Sequence, residues 1–140
     1  MTEPLVYTFS VDGDNFTSAG EASMKMKKNL RMLSMPPDII RKVAIAMYEG
    51  EINMVIHAGG GTATVRVYHD KIEIVLEDTG PGIADVELAM REGFSTAPET
   101  IRNLGFGAGM GLPNMKRNTD CMTIDSTLGV GTKIAMTVNL

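Results

Sequence analysis

Between Pro36–Pro37 and Gly59–Gly60–Gly61 runs PDIIRKVAIAMYEGEINMVIHA, a long apolar-periodic stretch with a stop signal at each end. Proline is tolerated in a first helical turn and a glycine run ends a helix, so the stretch predicts one long helix. Such a helix must lay its apolar side on something, and the flanking segments supply a sheet. LVYTFSVD alternates, with Leu5, Tyr7, Phe9 and Val11 on one face, and reads as a strand. TATVRVYHD and KIEIVLED read as strands joined by a tight turn near His69–Lys71. CMTIDST and TKIAMTVN form a last hairpin across Leu128–Gly131. FTSAGEASMKMKKNLRML reads as a helix from near Thr17 or Ser18, and DVELAMRE as a short helix. Residues 93–110 are a glycine-punctuated loop, followed by the helix LPNMKRNTD with Pro113 in its first turn. The order predicts an α+β fold, a two-layer sandwich whose helices cover one face of a mixed sheet.

The 140 residues suit one domain over 1–140, and 44% hydrophobic with 21% charged residues is enough to bury a core. A formal charge of −4 argues against nonspecific nucleic-acid binding, which needs a basic footprint. A lone cysteine, Cys121, forms no intramolecular disulfide. No apolar run approaches the ~20 residues that cross a membrane, and the first residues alternate like a strand. The chain therefore reads as cytoplasmic and without a membrane partner. Its twelve methionines fall mostly at apolar-periodic positions and read as core filling, not metal ligands.

On the long helix, Glu49, Asn53 and His57 stand at about 0°, 40° and 80° of the wheel. Ile45, Ile52 and Ile56 fall at about −40°, −60° and −20°, so the polar stripe borders the apolar face. Glu51, about 200° from Glu49, is expected in solvent. Polar groups at a core edge need partners. A Mg²⁺ ion with a phosphate would serve, with Asn53 as a neutral oxygen ligand. Capping the sheet edge would serve as well. Asp78 poses the same choice. It continues the parity of Ile72, Ile74 and Leu76, so it faces inward before TGPGI, where Gly80 and Gly82 leave backbone room. It suits an acceptor for an exocyclic amine such as that of adenine, or a turn-initiating aspartate. Thr132 shares parity with Ile134, Met136 and Val138, and is either a ligand contact or an edge threonine.

The run GFGAGMGLPN fails the dinucleotide template G-x-G-x-x-G, whose last position falls on Met110 or Leu112. It also lacks the Gly-Lys-Ser/Thr of a Walker loop; Gly131-Thr132-Lys133 has the wrong order. What remains is glycine at 105, 107, 109 and 111, directly before a helix start. Backbone N–H groups there offer an anion site, and the bland alternative is a surface loop.

Taken in order, EGEINMVIHA, EDTGPGI, GFGAGMGL and GTK resemble the N, G1, G2 and G3 boxes of the GHKL (Bergerat-fold) ATPases and kinases, over residues 43 to 140. EDTGPGI, EGFSTA and GAGMGLPNMKR resemble in particular the switch-kinase (RsbT-type) branch of bacterial anti-sigma-factor serine/threonine kinases. That resemblance implies the Bergerat ATP-binding fold, ATP with Mg²⁺, and transfer of the γ-phosphate to Ser or Thr of a STAS-domain antagonist. It implies Glu49 as base, Asn53 as Mg²⁺ ligand and Asp78 as adenine acceptor. Gly80 and Gly82 become the turn beside adenine. Gly105, Gly107, Gly109, Met110, Gly111 and Leu112 become lid and phosphate contacts, and Thr132 the G3 contact. The sequence departs from the pattern in two places: PETIRN lengthens the lid, and Ala97 follows Thr96 where related lids often carry Lys. Arg102 and Lys116 are the candidate replacement cations. Two other readings fit the same residues: an anti-sigma factor that binds a sigma factor, and a nucleotide-sensing module without efficient transfer. A histidine kinase fits poorly, because only His57 and His69 exist and neither lies on a separate dimerisation helix. The strand and helix ahead of the boxes offer a surface for a homodimer.

Overall fold

The computed structural model describes residues 3–12, 20–83, 90 and 111–140. In chain order these form β1 (Leu5–Asp12), α1 (Glu21–Met32), α2 (Pro37–Ala58), β2 (Gly60–Val67), β3 (Lys71–Asp78), α3 (Gly111–Arg117), β4 (Cys121–Thr127) and β5 (Gly131–Asn139). The expected short helix DVELAMRE, apart from Met90, and the glycine loop through Met110 lie outside the described residues, as do Thr17 and Ser18; α1 starts later than expected, at Glu21, because Gly20 before it stands in the left-handed region at φ 97°. α2 has the bounds that its prolines and glycines predict. Pro36 and Pro37 open it, and Gly59 closes it in the left-handed region at φ 72°.

The strands lie in the order β1-β2-β3-β5-β4. The α+β layering is as predicted, but the sheet is not mixed: every described pairing is antiparallel. The crossover from β3 to β4 suggests a parallel neighbour. β5, however, folds back between them, so β3 and β4 never share hydrogen bonds. In that register Ile72, Ile74 and Leu76 stand opposite Val138, Met136 and Ile134, and Asp78 stands opposite Thr132.

Alternation puts Ala63, Val65, Val67, Ile72, Ile74, Leu76, Ile134, Met136 and Val138 on the covered face. Val43, Ala46, Met47 and Met54 of α2, Met26 and Leu30 of α1, and Met115 of α3 close the core from above. Five of the methionines are thus core residues, while Met24 and Met32 on α1 are 70% and 75% exposed. Gly50 sets how close α2 comes to the sheet. A Cβ there would collide with Leu76 Cδ1 and lie 3.4 Å from Met115 Cε.

Glu51 corrects the helical-wheel expectation. It is 1% exposed, not solvated. Its Oε2 accepts from the backbone N–H groups of Gly20 (2.9 Å) and Ala22 (3.2 Å), and its Oε1 from Ser23 N–H (2.7 Å). The wheel considered one buried side, but α2 is covered on two: by the sheet and by the start of α1. That start has no side-chain cap of its own, since Gly20 precedes it. Glu51 supplies the missing acceptor from across the helix pair.

Candidate nucleotide-binding site

The polar stripe of α2 meets α3. Glu49 and Asn53 are both half-buried, as their place beside the apolar face requires. Asn53 lies against the first residue of α3: a Cβ on Gly111 would sit 3.1 Å from Asn53 Oδ1 and 3.2 Å from its Nδ2. Glycine at 111 therefore leaves the amide its room. Glu49 Oε1 accepts from Asn114 Nδ2 at 3.4 Å, and Asn114 Oδ1 accepts from Arg117 Nη1 at 3.1 Å. Arg117 is thus linked to the Glu49 carboxylate through the Asn114 amide. His57, one turn beyond Asn53, is more exposed, and desolvation lowers its pKa below the ordinary histidine value.

A second cluster forms where β3 ends. Asp78 is half-buried, and its Oδ1 accepts from Gly80 N–H (2.9 Å) and Thr132 N–H (3.2 Å). Both bonds end on the same oxygen, which leaves Oδ2 without either of these two donors. Gly80 packs against α2: a Cβ on it would lie 2.6 Å from Cα and Cβ of Ala58. Gly82, at φ 81°, would bring a Cβ to 2.6 Å from Thr127 O. Gly131 holds φ 148° with its Cα facing the Asp78 carbonyl. Pro81 O accepts from Gly129 N–H at 2.9 Å, so the turn after β3 is sealed onto the β4–β5 turn. Thr132 is 9% exposed, and its Oγ1 lies 2.8 Å from Ser126 Oγ, which in turn accepts from Ile83 N–H at 2.7 Å.

The two clusters share α2. Asn53 touches α3, and Ala58, five residues on, touches Gly80. That is about 7.5 Å of helical rise. The structure therefore brings together Glu49, Asn53, Gly111 and Leu112 at one end, and Asp78, Gly80, Gly82 and Thr132 at the other. Gly105, Gly107, Gly109 and Met110 fall outside the described residues, as does Arg102, while Lys116 is exposed. Sequence reasoning missed Asn114 and Ser126. Asn114 lies within a quoted motif and gave no parity signal of its own. Ser126 stands opposite Thr132 on β4, a pairing visible only once the hairpin register is known.

The chemistry at each end fits a nucleotide with a divalent ion. Among the described residues no cluster of three His, Cys, Asp or Glu forms a metal cage. The donor set is one amide and one carboxylate beside a glycine cradle, which suits an ion shared with phosphates and waters.

Residues 40–140 match the family described as histidine kinase-, DNA gyrase B-, and HSP90-like ATPase. The chain belongs to that family. ATP is accordingly its nucleotide. The chain is 34% identical over 97 residues to the serine/threonine-protein kinase RsbT of Bacillus subtilis (strain 168), covering 66% of this chain and 67% of that protein. It is 38% identical over 103 residues to an anti-sigma F factor of Caldanaerobacter subterraneus subsp. tengcongensis, covering 70% and 68%. These relatives put it in the RsbT-type and anti-sigma branch of the family. Among solved structures it is similar to the mycobacterial sensor histidine kinase MprB (TM-score 0.55, 19% identity, 96% of this chain and 97% of that one). It is also similar to a chain of the SiaB–SiaC complex of Pseudomonas aeruginosa (TM-score 0.58, 10% identity, 99% and 91%). At those identities the likeness is one of fold. No helix among the described residues is long and apolar enough to cross a membrane.

Proposed function

We propose that this chain is an ATP-dependent serine/threonine protein kinase of the anti-sigma regulatory type. It acts as one nucleotide-binding domain over 1–140, in the cytoplasm, on Ser or Thr of a STAS-domain antagonist. One observation carries the reading: α2 holds Glu49 and Asn53 against the start of α3 while its far end abuts the turn that follows Asp78. One helix thus joins the residues we assign to phosphate chemistry to the turn we assign to base recognition.

Bound ATP with Mg²⁺ supplies the γ-phosphoryl group. Asn53 would hold the ion through its amide oxygen, with Gly111 and Leu112 beside it. Glu49 accepts the proton of the incoming hydroxyl, and Asn114 keeps its carboxylate turned toward α3. Asp78 accepts from the adenine amine through Oδ2, with Thr132 beside it. Gly80 and Gly82 let the turn lie close to the base. Gly105, Gly107, Gly109 and Met110 are assigned to the lid and phosphates by family resemblance alone.

The deciding experiment incubates the chain with labelled ATP and Mg²⁺, with and without STAS-domain proteins, and looks for acid-stable phosphate on the partner. Acid stability separates Ser/Thr transfer from His transfer. Glu49→Gln is expected to bind ATP normally and to lose about 10²- to 10⁴-fold in transfer. Transfer at the wild-type rate would remove Glu49 from the base role. The similarity to anti-sigma F factor favours a second reading, in which the chain also binds a sigma factor. Co-purification with sigma factors in the presence of ATP tests it.

A further inference from the structure

Ser126 is absent from every motif above, yet it joins three parts of the base-recognition cluster. Its Oγ accepts from Ile83 N–H at 2.7 Å, lies 2.8 Å from Thr132 Oγ1, and lies 3.4 Å from Gly131 O. A hydroxyl has one proton and two lone pairs. The Ile83 bond uses a lone pair, because a backbone N–H only donates. The Ser126 proton then has two acceptors in reach, Thr132 Oγ1 at 2.8 Å, a contact either hydroxyl can donate, and Gly131 O at 3.4 Å, longer than the preferred O–H···O length. With the Ser126 proton directed to Thr132 Oγ1 and not along the long contact to Gly131 O, Thr132 keeps its own proton for another partner. The Thr132 backbone N–H is already spent on Asp78 Oδ1.

This gives the pocket a polarity. Asp78 Oδ2 is an acceptor, and the hydroxyl two atoms from the Asp78-bonded N–H is a donor. Adenine carries the complement: its 6-amino group donates and is flanked by ring nitrogens that accept. Guanine presents an oxygen in place of the amine, which faces a carboxylate unfavourably. We propose that Ser126 is a positioning residue for base recognition, setting Thr132 as a donor to a ring nitrogen beside the adenine amine. The same bond to Ile83 pins the turn that follows Asp78. The inference rests on the assignment of Asp78 to adenine.

The test compares dissociation constants for ATP, 1-deaza-ATP and 7-deaza-ATP, each of which lacks one flanking nitrogen. One analogue should bind the wild-type chain about three- to tenfold more weakly than ATP, the size of one lost neutral hydrogen bond. Thr132→Val should abolish that ratio. Ser126→Ala should bring it below about twofold, and Ser126→Thr should restore it. Adding Ser126→Ala to Thr132→Val should leave the ratio unmoved. If Ser126→Ala weakens all three nucleotides equally and keeps the ratio, Ser126 is only structural and the inference fails. It fails too if neither analogue is discriminated by the wild type. Should Ser126→Ala not fold, Ser126→Cys, a weak donor of similar size, gives the same reading through a lowered ratio, and an unchanged ratio there again overturns it. Purine riboside triphosphate, which lacks the amine, probes Asp78 separately. Its binding as tightly as ATP would sink the adenine assignment, whatever the deaza analogues do.

Discussion

At the residue scale, Asp78 shows how a backbone decides a side chain's chemistry. Two N–H groups, from Gly80 and Thr132, hold one of its oxygens and so present the other. Asp78→Asn would keep those donors only by turning its carbonyl oxygen to them, which presents its NH₂ to the base. An NH₂ opposes the adenine amine and matches the guanine oxygen. ATP affinity should fall about tenfold or more, the cost of a hydrogen bond to a charged group, while GTP affinity falls less or rises. Titrating both nucleotides against the variant checks this, and equal losses would count against adenine recognition. Inward parity made Asp78 legible in the sequence, as it did Thr132. The partner of Thr132 was not legible, because Ser126 is 6 positions away across a turn. Glu49→Gln belongs at this scale as well: its bond to Asn114 survives in the amide, so binding and transfer should separate.

At the element scale, α2 carries the site, and two of its residues set its position. Gly50 is a poor helix former in a helix interior, and on propensity alone Gly50→Ala would stabilise by about 1 kcal/mol. The structure predicts the opposite sign. A methyl group at 50 meets Leu76, and overpacking of this kind costs about 1–3 kcal/mol. Urea denaturation of the variant decides between them, and nucleotide affinity should fall with it, since the same shift moves Asn53 away from α3. Glu51 is the second. Glu51→Ala leaves three backbone donors at the start of α1 without their acceptor and should cost about 3 kcal/mol. A loss below about 1 kcal/mol in the same denaturation measurement would mean that water replaces the carboxylate and that the burial carries little energy. Bounds of α2, β3 and the last hairpin were readable from proline, glycine and alternation. The fate of Glu51 was not, because a helical wheel describes one helix while burial depends on every neighbour.

At the scale of the whole molecule, stability should respond to acid through His57. Burial lowers its pKa, so the folded chain resists protonation more than the unfolded chain does. The unfolded state then binds more protons as pH falls through about 6.5, and stability falls with it. His57→Gln should flatten that part of the curve, and denaturation at pH 7.5 and 5.5 on both proteins measures it; identical slopes would dismiss His57 as the source. The sheet makes the wider point. The sequence alone determined the long helix α2, the strands, the inward parity of Asp78 and Thr132, and the ordered boxes by which the family is recognised, because each follows from local periodicity or from residues in line. Only the tertiary structure decided that β5 inserts between β3 and β4. That one placement makes the sheet antiparallel, sets Asp78 opposite Thr132, and brings Ser126 to Thr132. The physical reason is that strand order is a choice among distant pairings, made by packing and hydrogen-bond satisfaction across the whole chain, which no local pattern records.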